Sequence, residues 1–216
     1  MQKKILILGD IFLDVFQETK VLKISPERPV PVIKPIGNMN LLGGASNVAS
    51  NIKSIGGEPF LISRLSNDNI SKKIISLLNE KKIKHKIYIN NKYSSSVKKR
   101  IVENNHQFLR IDDEKFVNLS KRHENEIVKY IKKNIKSFDS LIISDYSKGL
   151  ITKSLLKKII ITFYKNKKKI FTDPKSNNIE NYENSNFICP NHNEFNKFLQ
   201  FEKCTNNKKS IIELFK

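Results

Sequence analysis

The chain has 216 residues, 38% of them hydrophobic, which is enough for one domain with a sizeable core. Its two cysteines, Cys189 and Cys204, exclude a disulfide framework, and no window approaches the roughly 18–20 apolar residues of a membrane span. The net charge of +19 invites a nucleic-acid reading, but the lysines fall in short runs such as Lys72-Lys73 and Lys167-Lys168-Lys169, without aromatics between them as stacking platforms.

In chain order, Lys4–Leu8 is a short continuous apolar run and reads as a buried strand. Asp10 and Asp14 break the apolar stretch that a secretion signal would need, so a cytoplasmic protein is expected. A helix over Gly44–Ile55 places Val48, Ile52 and Ile55 on one face. Phe60–Ser63 reads as a strand, Ile70–Glu80 as a helix and Leu119–Ile135 as a helix in which Ile127, Ile131 and Ile135 recur at i+4. Leu141–Ser144 is a buried strand, Thr152–Lys165 a helix, Ile170–Thr172 a strand, and Phe187–Cys189 a strand followed by a helix from about Asn191. A final helix is expected over Ser210–Phe215. This alternation is the pattern of a mostly parallel sheet with helices on both faces, an α/β fold.

Two regions depart from the rhythm. Val30–Lys34 follows Pro26 and Pro29, and Ser96–Val102 with Gln107–Ile111 alternates like a hairpin around Glu103–His106. Proline-rich extended segments do not sit in a central parallel sheet. They are expected to form a small β lid, in segments of about 22–36 and 94–112.

Polar residues cluster at expected strand ends, where open α/β sheets bind ligands: Asp10 and Asp14 after the first strand, Asp145, Asp173 and Asn191 after later ones. Each alone is an ordinary helix cap; together they point to a shared ligand site. Gly43-Gly44 opens a helix with Asn47 one turn in, an arrangement that lets backbone approach a ligand. Cys189 and His192 are spaced for two metal ligands, but no second pair accompanies them. A small buried cysteine at a strand end is the expectation there.

Six blocks in order carry a resemblance: GDIFLD (Gly9–Asp14), SPERPVPV (Ser25–Val32), GGASNVASNI (Gly43–Ile52), SDYSKG (Ser144–Gly149), TDPK (Thr172–Lys175) and PNHNE (Pro190–Glu194). Together they resemble the ribokinase/phosphofructokinase-B superfamily. Within it, the SPERPVPV stretch and the VKKRI…FLRID hairpin are similar to the bacterial branch that phosphorylates D-glycero-β-D-manno-heptose 7-phosphate in ADP-heptose and lipopolysaccharide-core synthesis.

The resemblance implies a ribokinase-like domain, with ATP and Mg²⁺ as cofactors and a phosphosugar as substrate. Asp14 would accept hydrogen bonds from sugar hydroxyls, with Gly43, Gly44 and Asn47 on the other side of the sugar. Arg100, then Arg110, and Lys98 would meet the 7-phosphate. Lys175 would face nucleotide phosphate. Asn191 and Glu194 match an N-x-x-E motif, Glu194 holding Mg²⁺ through water. A homodimer through the lid is implied as well, and no membrane partner.

The superfamily places its general-base aspartate in a glycine-rich loop late in the domain. Here the last glycine is Gly149, so no catalytic base is expected in this chain. The 216 residues are expected to be the N-terminal part of one kinase domain, incomplete at the C-terminus and inactive alone. A further departure is Arg64–Asp68 (RLSND), where the family carries a glycine before the aspartate, which puts the geometry of that sugar-site loop in question. Two alternatives stand beside this reading: a kinase for another sugar on the same fold, and a non-catalytic binding or dimerisation module.

Overall fold

In the computed structural model, residues 2–92, 94–104, 106–175 and 179–204 are described. Six parallel strands form the main sheet: β1 (Lys4–Gly9), β4 (Glu58–Leu65), β5 (Lys84–Ile89), β8 (Ser140–Ser144), β9 (Lys169–Asp173) and β10 (Phe187–Ile188), in the order β10-β9-β8-β1-β4-β5. β1 lies at the centre, with Leu6 opposite Phe60 on one side and Leu141 on the other. Its alternate residues feed two cores. Leu6 and Leu8 pack with the apolar faces of α3 (Lys121–Asn134) and α4 (Lys153–Lys165), and Ile7 packs with α1 (Ala45–Ser54) and α2 (Asn69–Glu80). Burial on both faces is why these strands read as continuous apolar runs.

The helices begin where the sequence supplies caps. Asp68 accepts from Ser71 N at 2.7 Å before α2, Ser120 from His123 N at 3.2 Å before α3, and Thr152 from Leu155 N at 3.2 Å before α4. Before α5 (His192–Cys204), Asn191 and Glu194 cap one another, each backbone N–H donating to the other's side chain at 2.9 Å. This is a reciprocal capping box.

A second sheet, the lid, has the order β3-β2-β6-β7. It consists of β2 (Ile11–Ile24), β3 (Pro31–Gly44), β6 (Ser96–Glu103) and β7 (His106–Asp113). β2 and β6 are parallel, and each pairs antiparallel with its own hairpin partner. One face of the lid, carrying Ile11, Leu13 and Leu42, joins the α1/α2 core.

Two expectations, for Asp14 and Cys189, need correcting. Asp14, expected with Asp10 at the end of the first strand, is the fourth residue of β2, a strand for which the sequence carries no expectation. β5 was also unread. Cys189, expected to be buried, is exposed just past β10. The helix expected over Ser210–Phe215 lies outside the described residues. No helix among the described residues is long and apolar enough to cross a membrane.

Candidate functional site

The site forms where the strand ends of the main sheet meet the other face of the lid. Strand periodicity builds that face. Phe12, Asp14 and Phe16 alternate along β2; Asp14 lies beside Lys98 and Phe16 beside Arg100 of β6, and Arg100 is opposite Arg110 of β7. The Lys98 ammonium sits 4.9 Å from the Phe12 ring centroid and the Arg100 guanidinium 5.1 Å from that of Phe16. Arg100 donates to the Asp14 carboxylate, both side chains being about four-fifths buried (22% and 18% exposed). Arg110 pairs with Asp112 at 3.0 Å. Like charges directly opposite on paired strands repel, and these two acids separate the two arginines into ion pairs. A hollow of about 570 Å³ opens along the lid, lined by Phe16, Met39, Val102 and Gln107 among others.

Gly43 and Gly44 end β3 at this face. A Cβ on Gly43 would stand 2.3 Å from the Phe12 ring and 2.7 Å from Asp14 Oδ2, so only glycine leaves the Asp14 carboxylate where it is. Gly44 has φ of 62°, and a Cβ there would meet the Asp10 carbonyl at 2.4 Å. Asn47, one turn into α1, is exposed.

Asp10 faces inward instead of toward a ligand. Its carboxylate accepts from the backbone N–H groups of Tyr146 (3.2 Å), Lys148 (3.0 Å) and Leu150 (3.2 Å) and so shapes the loop after β8. Burial pushes its pKa up, against the opposing pull of those three bonds. Asp145 is buried too, receiving Tyr182 Oη–H at 2.7 Å and Ser147 N–H at 2.7 Å. Burial pushes its carboxyl up to about 6.

At the next strand ends, Lys175 pairs with Glu194 at 2.8 Å. Burial raises the Glu194 pKa, but hydrogen bonds from Lys175 and Asn191 outweigh it, and the net shift is downward. Asp173 is pushed up by burial and by the charge of Glu194. Two acids that repel one another, with only oxygen donors, suit a hard divalent cation. Among the described residues no group of three or more His, Cys, Asp or Glu side chains forms a metal cage.

Thus Asp14, Gly43, Gly44, Lys98, Arg100 and Arg110 gather on the lid face, and Lys175, Asn191 and Glu194 gather at the β9/β10 ends. Several residues that shape the site escaped the sequence reading. Arg64, 2% exposed, donates to the carbonyls of Val117 and Lys148. Beside it the RLSND loop, read as short of a glycine, is held by side chains. Asp68 accepts from Ser95 N at 2.9 Å, and Ser66 N donates to Ser95 Oγ at 3.1 Å. Glu114 joins Lys98 and Lys148. Lys148 lies inside a quoted block, but its partner could not be inferred from spacing.

Comparison with known proteins adds the following. The sequence profile of the pfkB family carbohydrate kinases matches residues 2–216. The chain is 34% identical over 191 residues to the bifunctional protein HldE of Aliarcobacter butzleri, covering 88% of this chain and 40% of that protein. It is 33% identical over 201 residues to the bifunctional protein HldE of Helicobacter pylori, covering 93% of this chain and 43% of that protein. The chain spans about two fifths of the length of these curated relatives. In fold it is similar to the tetrameric inhibited form of phosphofructokinase-2 from Escherichia coli, with a TM-score of 0.67 at 18% identity, covering 93% of this chain and 64% of that one.

Proposed function

The chain belongs to the pfkB family of carbohydrate kinases, and from that premise we propose that it serves the ATP-dependent phosphorylation of D-glycero-β-D-manno-heptose 7-phosphate at its C1 hydroxyl, giving the 1,7-bisphosphate. The observation that carries the reading is the lid face itself. A carboxylate suited to a vicinal diol, Asp14, stands beside cations suited to a phosphate, Lys98 and Arg100, above the strand ends. The ordered sequence blocks and the likeness to HldE support the same branch.

In this reading Asp14 accepts hydrogen bonds from sugar hydroxyls. Gly43 and Gly44 leave room for the ring to approach the backbone, and Asn47 meets its other side. Arg100 grips the 7-phosphate through its guanidinium fork, with Lys98 and Arg110 beside it. Arg100 pairs with Asp14, and in this reading binding exchanges that ion pair for contacts to both halves of the substrate. Lys175 takes nucleotide phosphate, and Asn191 and Glu194 hold Mg²⁺ through water; the ion, when bound, neutralises phosphate charge. Residues 150–216 contain no glycine, and the general base is assigned to no residue of this chain. The lid is also proposed as a homodimer surface, since Leu22, Ile24, Val30, Ile36 and Met39 are all more than half exposed there.

Calorimetry on protein carrying the whole kinase unit tests the assignment. Heptose 7-phosphate is expected to bind more tightly than unphosphorylated heptose, and Asp14→Ala to cost about 1.5–3 kcal/mol. Arg100→Lys is expected to weaken the phosphosugar more than the free sugar. Unchanged sugar affinity in a folded Asp14→Ala protein removes the assignment.

A further inference from the structure

The chain crosses between the main body and the lid four times, at Asp10/Ile11, Gly44/Ala45, Ser95/Ser96 and Asp113/Glu114. Three crossings are pinned by backbone or neutral donors. Ala45 N–H donates to the Asp10 carbonyl at 2.9 Å, which ties the first two together, and Ser95 N–H donates to Asp68 at 2.9 Å. The fourth is different in kind. Glu114, the first residue past β7, places its carboxylate between two ammonium groups: Lys98 on the lid strand β6, at 3.4 Å, and Lys148 on the loop after β8. The three side chains are 19%, 17% and 20% exposed, so this is a shielded triad rather than a surface pair. Phe12 of the lid and Tyr146 of the same loop also meet edge-on at 5.3 Å.

We propose that Glu114 is a positioning residue, an ionic latch that fixes the lid over the strand ends by holding Lys98 and Lys148 on one carboxylate. Lys148 cannot follow the lid, because Asp10 holds its backbone N–H and Arg64 its carbonyl. Lys98 belongs to the lid and sits on the face proposed for the phosphosugar. Without the carboxylate, the two ammonium groups lose the charge that draws both to one point across the hinge and repel one another, which loosens the lid. The inference rests on the kinase reading for its use, but its test does not.

The test is hydrogen exchange of the β6 and β7 amides in the ligand-free full-length protein, with β1, β4 and β8 as internal controls of folding. Glu114→Gln keeps shape and removes charge; Glu114→Asp keeps charge and shortens the side chain. If the latch is ionic, Gln speeds lid exchange by about tenfold, Asp stays within about twofold of the parent, and about 1 M salt drives the parent toward the Gln behaviour. Lys148→Met should speed exchange as well, and adding it to Glu114→Gln should slow exchange below that of Gln alone, because it removes one of the two facing ammonium groups. A Gln protein that exchanges like the parent overturns the proposal. So does an Asp protein that exchanges faster than Gln, which would make Glu114 a packing residue. Failure of the parent to bind phosphosugar would count against the kinase reading alone and leave these rates to decide the latch.

Discussion

Asp10 and Asp145 stand at neighbouring strand ends, and both are acids that folding makes harder to ionise. Their presence at strand ends was legible in the sequence; their use was not. An aspartate before a loop looks the same whether it awaits a ligand or collects amides from a segment 136 residues further on. Asp145 gives a signed prediction. Burial lifts its carboxyl to about 6 from an ordinary value near 3.8. Below that ordinary value folded and unfolded chains are both protonated, and the group takes nothing from stability. Between about pH 4 and 6 the unfolded chain loses the proton first, so stability falls as pH rises; above about 6 the full cost, about 2–3 kcal/mol, is present. Asp145→Asn lacks this titration. Urea unfolding of both proteins should give a parent-minus-variant stability that declines by that amount between pH 4 and 6 and then levels. A flat difference across the range contradicts the burial argument.

At the scale of elements, the βα alternation was readable because each strand buried on both faces is a short apolar run bounded by turns. The two strands that escaped notice lack that contrast. β2 follows β1 after Asp10 alone, with Ile11, Phe12 and Leu13 all buried, so no turn or loop marks its start and no polar alternation marks its face. β5, Lys-His-Lys-Ile-Tyr-Ile, is an edge strand whose cations mask its period. The lid pairing of β2 with β6 was out of reach, because a parallel register between segments so far apart leaves no local mark. The hinge glycine, by contrast, was visible, and its need can be measured. Gly44→Ala forces a side chain into the left-handed region and against the Asp10 carbonyl. It should cost about 1–3 kcal/mol and lower Tm. Gly37, in the same strand, has nothing within 4 Å of a Cβ, and Gly37→Ala should stay within about 0.5 kcal/mol. Equal effects at the two positions would mean that the hinge geometry is not what Gly44 supplies.

For the whole molecule, a net charge of +19 sets how copies meet. Basic chains repel at low ionic strength, while the lid exposes apolar side chains such as Leu22, Ile24 and Ile36. If the proposed lid dimer uses them, self-association should strengthen as salt rises from about 0.05 to 0.5 M, since screening removes the repulsion and leaves the apolar gain. Ile36→Glu should abolish it, with sedimentation velocity as the measurement; weakening by salt in the parent would point to charge pairing instead. The central place of β1 has a consequence of another sort. β1, the strand nearest the N-terminus, is an interior strand whose two neighbours come from residues 58–62 and 140–144. At 5–20 residues per second, a ribosome takes about 7–27 s to pass from β1 to β8. Through that interval the nascent chain carries this apolar strand without its β8 neighbour. Until Ser144 has emerged, that edge stays open to wrong pairing.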